Sequence, residues 1–373
     1  MKQFYFPTIC MMGLILLLSC QSKQTSQALI PETETPPAPA KTLSEAIASY
    51  KFIPLATDDT TLVGNITKIL KYKDNYYIAS NNKEILVFHT DGSFSHRINR
   101  QGRGPQEYVE LNDFDIAEDQ IVILSFRKIV VYTLDGTFVN SMDFDFNGLN
   151  IQVVGGNYLL RSNIESFLRT IDRHSGACGP LQIDMQENLR LTRNNCFLPL
   201  GKEILIQQGN SNTFCRYSDD TPTEVFNVSL LSDPDLMTSE KENQLTQSNT
   251  TPNLKMILDM AASQTQYYCG VGNPVTQEAV LYILDMHNHR IIHTLSLQTT
   301  DDLTYMGIGK TLQNISLGRA SDAFLTFLRV SELREAILRH GDDGSEHSRW
   351  MKEHLLDRLH DDDNPVLFEF RFK

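Results

Sequence analysis

Basic residues are the scarce charged class in this chain, with 33 Lys and Arg against 46 Asp and Glu and a net charge of −13. They form no cluster anywhere, which argues against nucleic acid as a partner because phosphate backbones select basic surfaces. Apolar runs are short as well. The most prominent, "MMGLILLLSC" at residues 11–20, falls short of the roughly 20 residues a membrane-spanning helix needs. Cysteine is sparse, and the six present include no CxxC pair, which removes the usual zinc and thioredoxin-type spacings. The chain also lacks a G-x-x-x-x-G-K-[ST] phosphate loop, a G-x-S-x-G nucleophile turn and the Ca²⁺ loop pattern of EF-hands. No cofactor and no metal site is expected. His287-x-His289, with His293 nearby, lies on a polar turn with no carboxylate fixed beside it and is not read as a metal site. His347 and His354 flank Trp350 on one face of a helical stretch, which reads as a solvated face.

What is present begins with an address. Lys2 precedes the apolar run, and the run ends in Leu17-Leu18-Ser19-Cys20, the form of a lipoprotein signal. Residues 1–19 are therefore expected to be a signal peptide and Cys20 the lipidated residue. Acyl chains contribute roughly 0.8 kcal/mol per buried CH₂, so several on one cysteine make a stable anchor. Gln21 in place of Asp points to the outer membrane by similarity to lipoprotein sorting, with the side of the membrane left open. Residues 20–50 read as a tether, rich in proline at Pro31, Pro36, Pro37 and Pro39. Cys178, Cys196, Cys215 and Cys269 remain in the body. A disulfide is allowed outside the cytoplasm, but buried free thiols suit a body this large.

From residue 51 to 373 the pattern is strand, turn, strand, and it repeats. "NYYIASNNKEILVFHTDGSFSHRI" turns at Asp91-Gly92, and "DQIVILSFRKIVVYTLDGTFVNSM" turns at Asp135-Gly136, 44 residues later. Asp-Gly between alternating residues is a strong hairpin signal because glycine accepts the positive φ of a tight turn. Ser175-Gly176, Asp219-Asp220 and Met286–His289 continue the series with decay. Repeats of about 40–45 residues with about four strands each are the pattern of propeller blades. Allowing two inserted segments, Ser232–Pro252 and a helical Ser331–His360, the length accommodates six blades. The fold class is all-β, a six-bladed β-propeller. Tyr50–Ala56 is expected to pair with Val366–Phe372 and complete the last blade from both ends.

"GRGPQEYVELNDFDIA", Gly102 to Ala117, joins the first blade to the second in this scheme. It is read as a structural crossing, with a positive φ expected at Gly104. The rim and axis residues that could meet a ligand are Arg103, Glu107, Tyr108, Asn112 and Asp113, with Asn194 and Asn195 from a later blade.

The chain resembles the six-bladed β-propeller lipoproteins of Bacteroidota, which share their architecture with NHL-repeat propellers. The resemblance rests on "FIPLA" at Phe52–Ala56, "RQGRGPQEY" at Arg100–Tyr108, "DFDI" at Asp113–Ile116 and "DDNPVLFEFRFK" at Asp362–Lys373. It implies an envelope lipoprotein held to a membrane by its lipid. The expected role is a monomeric, non-catalytic binding or scaffold module whose ligand is a glycan, a peptide or an envelope protein. The alternative is a Ca²⁺-dependent propeller hydrolase of lactonase or arylesterase type, which would need several carboxylate and amide oxygens about 2.3–2.6 Å from one axial point.

Overall fold

A computed structural model describes residues 42–162, 167–179, 183–184, 197–200, 203–207, 213–218, 221–227, 256–272, 279–285 and 290–373. A one-turn helix, α1 (Leu43–Ala46), leads into β1 (Ile47–Pro54), where the sequence suggested a strand at Tyr50–Ala56. Then come small sheets, each an up-and-down meander. The first is β2 (Ile66–Tyr72), β3 (Asn75–Ser80), β4 (Glu84–His89) and β5 (Phe94–Ile98). The second is β6 (Asp113–Ala117), β7 (Gln120–Ser125), β8 (Lys128–Thr133) and β9 (Phe138–Asp143), and the third β10 (Asn150–Val154), β11 (Asn157–Ser162), β12 (Phe167–Asp172) and β13 (Ile183–Asp184). The fourth holds β14 (Phe197–Leu200), β15 (Glu203–Gln207), β16 (Thr213–Ser218) and β17 (Thr221–Asn227). The fifth holds β18 (Met256–Ala262), β19 (Gln266–Gly272), β20 (Ala279–Asp285) and β21 (Ile291–Ser296).

The remaining strands break the pattern. The short β22 (Gly318–Arg319) adds to the first sheet, parallel to β2, while β23 (Phe324–Leu328) and β24 (Val366–Phe372) form a sheet in the order β1-β24-β23. In that sheet Tyr50 sits opposite Phe370 and Phe52 opposite Phe368. Between β23 and β24 lie α2 (Val330–His340) and α3 (Glu346–Met351), where Ser331–His360 was expected to be helical; α2 starts one residue earlier. The expected insertion Ser232–Pro252 lies outside the described residues.

Turn chemistry explains the meanders. Gly92, Gly136 and Gly176 have φ of +90°, +84° and +70°. Asp91 Oδ1 accepts the Ser93 N–H at 2.9 Å and Asp135 Oδ1 that of Thr137 at 3.3 Å, so each aspartate closes the turn locally. Gly92 is constrained twice, since a Cβ there would sit 2.1 Å from the Pro54 carbonyl oxygen.

The middle strands are buried on both faces, as the runs Tyr76–Ser80 in β3 and Ile121–Ser125 in β7 show, whereas β9 is largely open to solvent. Double burial follows from how the sheets stack. One cluster joins Tyr77 and Val87 to Phe114 and Val130, and the next joins Val122 and Ile129 to Tyr158 and Leu160. Further along, Leu159 packs with Ile204, Leu205 with Tyr267, and Ile283 with Phe368. The last interface sets Leu325 and Leu367 against Ile69 and Ile78 of the first sheet. Glu369 strengthens this contact by accepting from Lys71 Nζ and the Tyr76 hydroxyl, both at 2.8 Å. Small meanders stacked face to face in series are the organisation of a propeller-type fold. Free thiols follow the expectation at Cys269, which is buried, but Cys178 is exposed, because it lies just past the Gly176 turn. Cys196 lies outside the described residues.

Deleting residues 21–41 should leave the melting temperature unchanged. Deleting 21–56 also removes the buried Phe52, Ile53 and Leu55. At about 1.5–3 kcal/mol per side chain, thermal melts of the two truncations should differ widely, and coincident melts would show that β1 adds nothing to the body.

Candidate functional site

The crossing loop is built from its own carbonyls inward. Gly102 N–H donates to the Tyr108 carbonyl at 2.9 Å, and Tyr108 N–H donates to that of Arg100 at 3.1 Å. Glu107 Oε2 accepts the Gly104 N–H at 2.8 Å and lies over Gly102, where a Cβ would approach it to 1.9 Å. A side chain at Gly102 would therefore push the Glu107 carboxylate off the Gly104 N–H. Gly104, expected to need a positive φ, does not have one, because Glu107 rather than a left-handed turn sets the bend. Tyr108 is fully buried and donates its hydroxyl to the Lys83 carbonyl at 2.7 Å. Burial pushes that hydroxyl up to about 12, against a smaller opposing effect of the Arg100 N–H it accepts.

Lys128 completes the joint. Its Nζ donates to the carbonyls of Gly104, Pro105 and Glu107 at 3.1, 2.8 and 2.9 Å, and the Tyr132 hydroxyl donates to that of Gln106 at 2.7 Å. An ammonium with three donors matches three converging carbonyls. Of the predicted loop residues, Glu107 and Tyr108 are committed to this joint and Arg103 is exposed. Sequence reading missed Lys128, whose partners become neighbours only when the second sheet folds back on the loop.

Asn112 and Asp113 stand at the entry to β6 and do separate work. Asn112 Oδ1 accepts the Phe126 N–H at 3.0 Å. Asp113 accepts from Lys68 Nζ at 2.9 Å through Oδ1 and from the Ile151 N–H at 2.9 Å through Oδ2. Two residues on, Asp115 Oδ2 accepts Val153 N–H at 2.8 Å and Gln152 Nε2 at 2.6 Å, while Oδ1 accepts from Arg319. Arg319 Nη1 returns to Gln152 Oε1 at 2.7 Å. Two carboxylates, two cations and an amide thus join β2, β6, β10 and β22. Asn194 and Asn195 lie outside the described residues.

Open space lies elsewhere. A cavity of about 440 Å³ is lined by Asp259, Tyr268 and Leu281 of the fifth sheet and by Leu312, Gln313 and Leu317. A larger cleft of about 690 Å³ lies between β1 and α3, lined by Tyr50, Lys51, Phe52, Glu346, His347 and Trp350. Ser345 caps α3 by accepting the Ser348 N–H at 3.0 Å, which presents Glu346, His347 and Trp350 to β1. His347 is half-buried and pairs with the Leu303 carbonyl through Nε2 at 2.9 Å, with Nδ1 at 3.4 Å from the Tyr50 hydroxyl. Trp350 packs on Phe52 at 5.7 Å and stacks on His354 at 4.8 Å. The helix face read as solvated is instead one wall of the cleft. Among the described residues no group of three or more His, Cys, Asp or Glu side chains is arranged to hold a metal ion.

Residues 31–371 match the domain of unknown function DUF4934, and the chain belongs to that family. No curated protein matches it in sequence. Among solved structures, a Bacteroides fragilis protein described as exported is similar over 91% of this chain and 98% of its own, with 17% identity and a TM-score of 0.68. Weaker likenesses are BamB of Moraxella catarrhalis, at 14% identity and TM-score 0.40 over 66% of each chain, and the Pan2 WD40 domain of Neurospora crassa. The latter covers 62% of this chain and 66% of that one at 10% identity and TM-score 0.41.

The joint makes a clear demand on mutants. Lys128→Met keeps the stem but strands three carbonyls and should cost about 1–3 kcal/mol, and Tyr108→Ala should cost about 3–5 kcal/mol. Urea melts measure both, and unchanged midpoints would return the loop to the set of ligand-facing surfaces.

Proposed function

We propose that this DUF4934 protein is a lipid-anchored, non-catalytic binding module of the cell envelope, carried on a closed six-bladed propeller. The supporting observation is how its axial carboxylates are used. Asp113 and Asp115 spend their oxygens on the Ile151 and Val153 N–H groups, on Lys68 and on Arg319. A Ca²⁺ site or a general base on the axis would draw on those same oxygens. Pairing of β1 with β24, and the contact of that sheet with the first, support a ring closed by the N-terminal strand.

In this reading residues 1–19 direct export and Cys20 carries the lipid in the outer membrane. The tether expected over residues 20–50 is shorter than that, because Leu43, Ala46 and Ile47 are already buried in the monomeric body. The body receives a glycan, a peptide or an envelope protein. No helix among the described residues is long and apolar enough to cross a membrane.

Fractionation of cells making the native chain and Cys20→Ser tests this. The native protein should sediment with membranes and carry acyl groups, and the serine variant should be released. Retention of Cys20→Ser together with an unacylated native form would refute the anchor. Turnover of lactones or aryl esters that requires Ca²⁺ and disappears in Asp115→Asn would refute the non-catalytic reading.

A further inference from the structure

The cleft between β1 and α3 is walled by rings that meet at steep angles. Tyr50 lies 77° from the plane of Phe52 and 88° from that of His347, with centroids 5.7 and 6.2 Å away. Trp350 lies over Phe52 at 31°. Tyr50 is 42% exposed although it faces this cluster, so a large ring is left open to a ligand. The walls are also held in place. His347 is fixed by Leu303 and Tyr50. Tyr305, held at φ +61°, stacks on His340 at 3.8 Å and meets the His347 ring at 5.6 Å. A bulky residue kept in the left-handed region is a local strain that the surrounding packing sustains.

The charges around these rings are mostly acidic. Glu346 lines the cleft directly. Burial, and then the nearby carboxylates Asp302 and Asp301, raise the pKa of the Tyr50 hydroxyl. The cation in the lining, Lys51, donates its Nζ to the Thr90 carbonyl at 2.7 Å, which holds its head at that carbonyl. Aromatic faces attract cations through the ring quadrupole, with Trp the strongest, and rings set at angles around one space recognise ammonium groups.

We propose that the Tyr50–Trp350 cleft is a binding site for an organic ammonium group, with Glu346 supplying the counter-charge. The inference rests on the binding-module reading and gives that module a site and a ligand class. The ammonium can belong to a soluble amine or to a lipid headgroup, and the chemistry of recognition is the same for both.

Trp350 is the chain's only tryptophan, so its fluorescence reports on the cleft. The full-length Cys20→Ser protein is titrated with choline, tetramethylammonium and ethanolamine, and with 3,3-dimethylbutan-1-ol as the neutral isostere of choline. At least one ammonium compound should give a saturable change. The isostere should bind roughly tenfold more weakly, as loss of a cation–π contact implies. Tyr50→Ala and Glu346→Gln, with unchanged melts, should each weaken ammonium binding several-fold, and sodium chloride at matched strength should leave the signal flat. Co-sedimentation with phosphatidylcholine or phosphatidylethanolamine vesicles, competed by the free amine, assigns a headgroup; saturation without co-sedimentation assigns a soluble amine. Equal affinity for the neutral isostere overturns the ammonium assignment while leaving the binding module standing. No saturable response to any of the three amines overturns the site itself, whereas Ca²⁺-dependent ester turnover would overturn the module.

Discussion

A sheet that ends at the inside of a stack leaves backbone N–H groups with no further strand to accept them, and leaving such groups buried and unpaired is costly. On the inner side of β10 carboxylates meet this need, with Asp113 taking the Ile151 N–H and Asp115 that of Val153. Carboxylates buried this deeply need partners of opposite charge, and Lys68 and Arg319 provide them. Arg319 reaches the network from β22, which can lie parallel to β2 because Gly318 has no Cβ; one there would sit 1.9 Å from the Leu325 carbonyl oxygen. The inner edge of one sheet thereby fixes where two others lie.

The same logic governs the crossing loop. A connection between sheets carries carbonyls away from any ladder, and the second sheet supplies their donors through Lys128 and Tyr132. Polar groups are therefore dense where sheets meet along the chain, while apolar clusters fill the faces between them. Polar side chains that look functional in isolation are here satisfying the backbone. The cleft of Tyr50 and Trp350 differs, because its rings touch each other and still leave open space beside them.

Local features were legible in the sequence. The Asp-Gly turns announced themselves because Gly92 and Gly136 carry the positive φ their turns require, and the segment between β23 and β24 was read as a helical insertion. Asp113 was singled out from a polar strand start as a rim or axis group that could meet a ligand, since its partner Lys68 belongs to another repeat. Lys128 and Arg319 were out of reach for the same reason: neither carries a local pattern that names its acceptors. The cleft depends on Tyr50 and Trp350, which belong to segments far apart in the chain. Cys178 shows the limit of reading burial from neighbours, because the turn at Gly176 puts it on the surface.

Pairing β1 with β24 has a consequence for the order of events during synthesis. Ile47 lies opposite Phe372, and Lys373 donates to the carbonyls of Ser44, Glu45 and Ala46. The strand made first must wait for the strand made last. Until β24 has been made, β1 therefore remains an unmatched edge with Phe52 and Ile53 uncovered, during the interval in which a chain is most prone to pair with the wrong neighbour.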